Sequence, residues 1–419
     1  MSAKSGAGTY APFASSDYRL LWSGTCLYFL AFVISMVAQA VIAYDLTGKN
    51  SAVGLVALCS GISLTIGSPI GGVLADRVDK RRLLVLSQLA IAALFVIVGT
   101  LMLSDLLTVA LLAGMALLIN LCSCVIMPAR QAWSPATLPP EQAGDGAALQ
   151  ALAVTLMGLI GPFIGGLIIA VPFLGLGGAY LTLAGFMLVT VLLVLRTRAA
   201  SPRPAAQAKP LADLQLGLIH VFTQPRLAVL MLSFYGVILA GSSYAVLLPG
   251  FIEDRLGRDA SDVTWLMTMS GLGGLVSTGL VSLLPSSRQT TTLLAVGGMI
   301  MGVGLALVGG ASSFGIAMAF MLVVGIGMGM VQLLNTALIM REAEPQYYGR
   351  VMSLVMLGWG INGVAALGLG LLADGIGAGR TLAVMGAVAV MIAAAMWAAL
   401  RGLGARGEPT VRAQSTLSS

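Results

Sequence analysis

The chain has 419 residues, of which 58% are hydrophobic and only 9% are charged, and its formal net charge is +6. About a quarter of the residues of an ordinary soluble domain are charged, so this composition, with a mean hydropathy of +0.98, excludes a water-soluble protein. It predicts an all-α membrane protein. The basic residues stand in short loops rather than on one arm or face, which indicates membrane topology and not a nucleic-acid partner.

Twelve apolar runs are long enough to cross a bilayer, which takes about 20 residues. They fall into two groups of six on either side of a polar interruption. The predicted spans are 20–44, 52–74, 83–103, 106–128, 146–170 and 172–195 in the first half, and 227–250, 261–284, 290–310, 313–338, 348–373 and 380–400 in the second. The first run is too long for the apolar core of a cleavable signal peptide, so we interpret it as a span.

The distribution of Lys and Arg predicts that both termini are cytoplasmic, because basic loops resist translocation. With this orientation only Lys49, Arg255, Arg258 and Arg380 lie outside, and the other 18 of the 22 basic residues lie inside.

The longest polar interruption begins as a Pro-rich linker and continues with a stripe of apolar residues. The stripe consists of Leu211, Leu214, Leu218, Ile219 and Phe222. This spacing predicts a short amphipathic helix on the cytoplasmic leaflet. We therefore divide the chain into a cytoplasmic tail (1–17), a six-helix half (18–195), a linker (196–226), a second six-helix half (227–400) and a second tail (401–419).

The two halves are weakly similar in sequence. The segments Pro140-Glu-Gln-Ala-Gly144 and Pro345-Gln-Tyr-Tyr-Gly349 align at a shift of 205 positions, and the same shift pairs Gly158 with Gly363. Such a pattern predicts a duplicated six-helix unit and two pseudo-symmetric halves.

Two features with ligand chemistry are interpreted as structural. His220, the only histidine, lies in the linker and is expected to be an interfacial polar residue rather than a proton relay. Cys122-Ser-Cys124 has no His or carboxylate nearby in the sequence, so it is expected to pack within a helix rather than bind a metal. No nucleotide-binding loop occurs, and we predict neither a cofactor nor an enzymatic activity.

The charged loop after the second span carries a recognisable motif. Its sequence, Gly72-Val-Leu-Ala-Asp-Arg-Val-Asp-Lys-Arg-Arg-Leu-Leu84, resembles the loop between helices two and three of the major facilitator superfamily, and the resemblance extends over the whole chain. In that family this loop stabilises the outward-facing conformation of the transporter. The resemblance therefore implies a gating role for Gly72, Asp76, Arg77 and Arg81. Asp79 departs from the motif, which commonly has Gly there. The alternative is that these charges only fix the topology.

A second motif lies in span five. Gly161-Pro162-Phe-Ile-Gly165-Gly166 resembles the GPxxGG signature of the exporting, antiport-type branches of the family. Pro162 removes a helical hydrogen bond and the glycines permit close helix contact, so we predict a packed hinge. The segments 45–54 and 127–135 resemble the siderophore-exporter and macrolide-efflux branch, which implies a bacterial inner membrane.

Few charged residues are available for coupling to an ion. None of the 16 acidic residues lies near the middle of a predicted span, and the Arg nearest to span four is Arg130, at its cytoplasmic end. If protons drive transport, Asp45, Asp76 and Arg130 are the candidate coupling residues. The alternative for these side chains is helix capping and topology.

The intramembrane polar and aromatic residues are candidates for the substrate cavity, because amides and hydroxyls are unfavourable facing lipid. These are Gln39, Asn120, Tyr235, Tyr244, Gln332, Asn335, Trp359 and Asn362. Each of them can instead hold two helices together.

The sequence thus predicts a monomeric secondary transporter that exports a small amphipathic molecule, a drug or a siderophore-like compound, by alternating access, with protons as the candidate counter-ion. Its partners are this substrate and the lipid bilayer. A lysolipid or lipid flippase, or an importer, on the same fold is the first alternative. A membrane sensor or scaffold that transports nothing is the second.

Overall fold

A computed structural model of the chain describes residues 10–171, 174–201, 210–282 and 290–406. Within these ranges only the backbone is described at positions 72, 73, 76, 210–214, 282, 345, 349, 356 and 404–406. The described residues contain helices and connecting loops but no strand. The all-α prediction is therefore confirmed.

The first half is built from seven helical segments. They are α1 (Ser16–Asp45), α2 (Asn50–Arg77), α3 (Lys80–Leu103), α4 (Val109–Ser123), α5 (Ile126–Ala136), α6 (Ala143–Ile169) and α7 (Gly175–Arg196). Three of them begin at side chains that accept a hydrogen bond from a first-turn N–H, namely Ser15, Asp79 and Thr108. Capping of this kind stabilises N–H groups that have no partner inside the helix.

The remaining helices are α8 in the linker and α9 to α15 in the second half. Their bounds are α8 (Pro210–Thr223), α9 (Pro225–Val237), α10 (Leu248–Gly250), α11 (Val263–Ser282), α12 (Thr290–Gly310), α13 (Phe314–Glu342), α14 (Tyr348–Ile376) and α15 (Ala378–Arg406). The predicted seventh span is not one regular helix. A π-helical turn, Ile238–Ser242, and a 3-10 turn, Ser243–Val246, interrupt it, and a second π-helical turn, Phe251–Arg255, follows its predicted end.

Eleven described helices or helix pairs are long and apolar enough to cross a membrane. The helix at the position of the predicted eighth span, α11, is 20 residues long but does not belong to this set. Half of its residues are Gly, Ser or Thr, which lowers its hydropathy. The multi-pass membrane architecture is confirmed, and the count of twelve stays a prediction.

The predicted end of span four, at residue 128, is wrong. The chain turns briefly after α4 and continues as α5 to Ala136, and α4 and α5 together form one candidate span, Val109–Ala136. Pro128 lies in the first turn of α5, where a missing N–H costs little because the residue four positions earlier is outside the helix. Arg130 is consequently inside the fourth span.

Contacts between helices separate into two groups. In the first half α1 packs on α6 and α7, and α3 packs on α7. In the second half α12 packs on α13 and α15, and α11 packs on α13. The two groups meet along α2 with α14 and along α6 with α11.

The two sequence segments aligned at a shift of 205 adopt the same local structure. Pro140–Gln142 and Pro345–Tyr347 are both single 3-10 turns, and each leads directly into a long helix, α6 or α14. This agreement supports the predicted internal duplication.

Parts of the predicted tails and linker, residues 1–9, 202–209 and 407–419, lie outside the described residues. The described end of the first tail contains a 3-10 turn, Ala11–Ala14, where Phe13 packs edge-on against Trp22 at 5.0 Å between ring centroids. The second tail begins later than predicted, because α15 extends to Arg406.

Candidate functional site

We call the end of the bundle that holds Asn50 and Asp374 the outer end, following the predicted topology. Here a carboxylate of the second half binds the N-terminus of a helix of the first half. Asp374 Oδ1 accepts a hydrogen bond from Asn50 N at 2.7 Å, and its Oδ2 accepts one from Ser51 N at 3.2 Å. Because α2 begins at Asn50, these N–H groups have no acceptor within their own helix, and a negative charge there is favourable. The contact joins the two halves, and we name it the outer lock.

Two glycines bring the second half close to the same residue. A Cβ atom on Gly250 would lie 2.5 Å from Asn50 Oδ1, and one on Gly370 would lie 2.6 Å from the Asn50 carbonyl oxygen. Asn50 is 3% exposed, so it is enclosed between α10 and α14. Asp374 is not among the residues predicted from the sequence to act in the transport cycle, and its partner is 324 positions away in the chain.

Below the lock, α2 and α14 touch backbone to backbone. A Cβ on Gly54 would lie 2.8 Å from the Ala366 carbonyl oxygen, and one on Gly363 would lie 2.6 Å from the Ala57 carbonyl oxygen. Small residues permit this approach, which is a common way for membrane helices to associate.

The predicted hinge motif of span five lies at two different interfaces. Gly161 and Gly165 face Val33 and Ile34 of α1 within the first half, whereas Gly166 faces Thr264 of α11 in the second half. Pro162 is buried, and α6 is continuous around it from Ala143 to Ile169. The motif therefore lies beside the second contact between the halves, and its role as a hinge stays a prediction.

The charged loop contacts the start of the linker and the end of α5. The Arg81 guanidinium donates to the carbonyl of Thr197 and lies 5.8 Å from the centre of the Trp133 ring. Asp79, the residue that departs from the motif, accepts from Arg82 N at 2.9 Å and caps α3. Arg77 is exposed, and at Gly72 and Asp76 only the backbone is described.

A buried polar cluster joins α1, α5 and α6 near the inner end. Arg130 Nη1 donates to the Leu21 carbonyl at 3.1 Å and to Thr25 Oγ1 at 3.2 Å. Gln150 Nε2 donates to Thr25 Oγ1 at 2.7 Å and to Ser134 Oγ at 3.1 Å. All four of these polar side chains are at least 97% buried. Arg130 is thus part of a packed cluster and not of an exposed loop.

The structure does not bring Asp45 to Arg130. Arg130 contacts the first turns of α1 at Leu21 and Thr25, whereas Asp45 is the last residue of α1. Twenty helical residues extend about 30 Å, so Asp45 lies at the outer end and Arg130 near the inner end. A direct ion pair between them is excluded in this conformation.

The predicted cavity residues divide by environment. Several serve as links between helices: Asn120 donates to Ser60 Oγ at 3.1 Å, Tyr235 donates to the Leu354 carbonyl at 2.8 Å, and Asn362 Oδ1 accepts from Ser243 Oγ at 2.7 Å. Tyr244 and Ser270 share a hydrogen bond of 3.0 Å between their oxygens.

The other four differ in exposure. Gln39 and Asn335 are buried, Trp359 is half-buried, and Gln332 is exposed. The Ser243–Asn362 contact lies at the interruption of the seventh span, where π-helical turns often mark functional positions. Asn120, Tyr235 and Asn362 thus hold neighbouring segments together, which is the alternative given for them above. A role in substrate binding stays a prediction for all eight residues.

Comparison with known proteins agrees with this architecture. A family model described as Major Facilitator Superfamily matches residues 21–367. The chain is similar to "Enterobactin exporter EntS" of Shigella boydii serotype 18 and of Escherichia coli O1:K1 / APEC, with 27% identity over 258 residues in each case. The matched stretch covers 59% of this chain and 60% of either relative.

Solved structures share the fold. A bacterial homologue of the human lysosomal transporter Spinster, solved inward-facing and unoccupied, matches with a TM-score of 0.74 at 16% identity, covering 94% of this chain and 100% of that one. The nucleoside transporter NupG matches with a TM-score of 0.72 at 13% identity, covering 92% of this chain and 100% of that one. At such identities the likeness concerns the fold alone. Together with the family match over most of its length, these observations establish that the chain belongs to the Major Facilitator Superfamily of membrane transporters.

Proposed function

We propose that this chain is a secondary active transporter that exports a small amphipathic molecule across the inner membrane by alternating access. The observation that carries the proposal is the outer lock, in which Asp374 of one half binds the N-terminus of α2 in the other. A contact of this kind can break and re-form when two rigid halves rock, because it consists of hydrogen bonds to an exposed carboxylate and includes no covalent bond.

The distribution of contacts between the halves supports a conformer that is closed outside and open to the cytoplasm. Along α2 and α14 the close approaches extend from Asn50 to Thr65, which meets Gly360. Along α6 and α11 they extend from Gly166 to Leu159, which meets Gly271. Both stretches occupy the outer and middle parts of their helices. Arg81 meanwhile donates to the carbonyl of Thr197, directly after α7, and this agrees with a loop latch of the outward-facing state that is not engaged.

The buried side chains support an amphipathic cargo. No Asp or Glu is among the buried residues that the structure describes, and the polar groups inside the bundle are mostly hydroxyls and amides. A lining of this kind binds apolar surface and orients it with a few hydrogen bonds. It offers no fixed negative charge to a cationic drug.

Export rather than uptake is supported by two observations. The relatives with 27% identity are named as enterobactin exporters, and the GPxxGG-like motif at 161–166 resembles that of exporting branches. The likeness to the nucleoside transporter NupG concerns the fold alone and does not decide the direction. The direction therefore needs a measurement.

The test is transport by the purified chain in proteoliposomes. A panel of amphipathic drugs, siderophores and lysolipids is presented with and without an imposed pH gradient. We expect movement of a drug or siderophore that depends on the gradient and runs from the cytoplasmic side to the other side. Gradient-independent movement of lysolipid would instead assign the flippase function, and accumulation in the opposite direction would assign import.

A further inference from the structure

Arg130 is fully buried, at 0% exposure, and two of its three guanidinium nitrogens have no hydrogen-bond partner. Nη1 binds Leu21 and Thr25 of α1, but neither Nε nor Nη2 has a hydrogen-bond acceptor among the described residues. A buried charge with unsatisfied donors is expensive and is retained when it serves a function. No described carboxylate pairs with it, since both described ion pairs, Arg226–Glu342 and Arg258–Asp262, lie in the second half.

The unpartnered edge has a specific shape. The N–H of Nε and one N–H of Nη2 lie in the guanidinium plane and point in the same direction, and this edge binds the two oxygens of a carboxylate or a similar anionic group. The guanidinium is also held in place, because Thr25 accepts from Arg130 and from Gln150 and donates to the Leu21 carbonyl at 3.0 Å. The edge is therefore preorganised.

The surrounding groups favour an acceptor with negative charge. Trp133, one turn further along α5, is also 0% exposed, and its Nε1 has no partner. The one unpartnered acceptor in the cluster is Gln150 Oε1, so donors outnumber acceptors three to one. The Arg81 guanidinium, 5.8 Å from the Trp133 ring centre, adds positive potential. The Tyr28 ring, whose centre lies 5.9 Å from Arg130 Cζ, stabilises the charge in part but accepts from none of these donors. A water molecule would satisfy some donors but would supply no opposite charge.

We propose that Arg130, with Thr25, Trp133 and Gln150, forms a subsite for a small anionic oxygen group. The inference rests on the proposed transport function and specifies its cargo: the group is the carboxylate or phenolate of an exported amphipathic acid. A free inorganic or formate-like anion has the same chemistry, and the experiment separates the two sources. The subsite is closed in the present conformer. We expect it to open when α5 moves against α1, because α5 is already separated from α4 at Cys124 and Val125.

The test measures binding to the purified full-length chain in detergent, by calorimetry and by thermal stability. The probes are salicylate, its neutral amide salicylamide, and sodium formate at matched ionic strength. The variants are Arg130→Gln and Arg130→Lys, with Arg19→Gln as the matched control, since Arg19 is an exposed arginine on α1. We expect salicylate to bind the wild type and Arg19→Gln with equal affinity. Salicylamide is expected to bind both proteins at least roughly tenfold more weakly than salicylate does.

The variants separate charge from geometry. Arg130→Gln is expected to lose salicylate binding, and Arg130→Lys to bind roughly tenfold more weakly, because an ammonium group cannot present two parallel donors. Stabilisation by formate equal to that by salicylate supports the subsite and assigns it to a free anion. Equal binding of salicylate and salicylamide to the wild type, or no binding of salicylate and formate, overturns the proposal even if the variants fail to fold. If the subsite proposal is overturned in this way, transport in vesicles can still be observed, so the proposed function would still stand.

Discussion

Neutralising Asp374 should weaken the closure of the outer end. In the wild type, Asp374 Oδ1 accepts from Asn50 N at 2.7 Å. In Asp374→Asn the side chain keeps one carbonyl oxygen, which can still accept this hydrogen bond. It loses the second oxygen, which accepts from Ser51 N at 3.2 Å, and it loses the charge that faces the positive end of the α2 dipole. The perturbation is therefore confined to one contact between the halves.

The expected magnitude follows from these contacts. A hydrogen bond to a charged group contributes about 1.5–3 kcal/mol, and a charge at a helix terminus about 0.3–1 kcal/mol. Asp374 is exposed, so solvent screens the charge and reduces the total below these ranges, to about 1 kcal/mol. A loss of about 1 kcal/mol shifts the equilibrium between outer-closed and outer-open states roughly fivefold towards the open state.

Distances between spin labels across the outer end report this shift. The labels are placed on opposite halves, in a background without the four native cysteines. Leu46→Cys directly follows α1, and Arg380→Cys lies in the first turn of α15. Asp374→Asn should increase the population at long distances. Asp105→Asn is the matched control, because Asp105 is an exposed outer-loop acid whose positive φ of 55° suits Asn. Identical distance distributions for the wild type and Asp374→Asn would refute the reasoning.

Three further predictions concern the helix interfaces and the inner loop. Gly363→Val should reduce transport in proteoliposomes at least about tenfold, since its Cβ would lie 2.6 Å from a carbonyl oxygen of α2. Gly114→Val is the control and should retain transport in the same assay, because no atom lies within 4 Å of a Cβ placed there. Arg81→Ala should destabilise the chain by about 2 kcal/mol, because it removes a hydrogen bond to a carbonyl and a cation–π contact. Arg82→Ala, at an exposed arginine, should not, and equal melting temperatures of the two variants in detergent would contradict this. Asp79→Ala should cost about 1 kcal/mol by uncapping α3, while Asp79→Asn should melt as the wild type does.

The sequence predicts the architecture well, because long apolar runs and the bias of basic loops constrain membrane helices strongly. The third span, predicted at 83–103, corresponds to α3 (Lys80–Leu103), and the ninth corresponds to α12 (Thr290–Gly310). The predicted span boundaries are wrong where one residue type is compatible with both the end and the start of a helix. Pro128 resembles a helix end, yet it occupies the first turn of α5, and the misplaced boundary hid the burial of Arg130.

The site was less predictable for a different reason. The outer lock joins residues 324 positions apart, and nothing in the local sequence of Asp374 distinguishes it from an acid that only marks a span end. Conversely, Asn120 and Tyr235 were candidates for the cavity because amides and hydroxyls are costly in lipid. Their hydrogen bonds to Ser60 and to the Leu354 carbonyl show that a neighbouring helix supplies their partner.

The most direct test of the account is a reversible disulfide across the outer lock. Ser51→Cys and Asp374→Cys are combined in the cysteine-free background, and transport of an amphipathic substrate is measured in proteoliposomes before and after reduction. Alternating access through this lock predicts that the oxidised protein, with its outer end tied shut, does not transport and that reduction restores transport. Equal transport by the oxidised and reduced forms would contradict the central claim that the two halves must separate here.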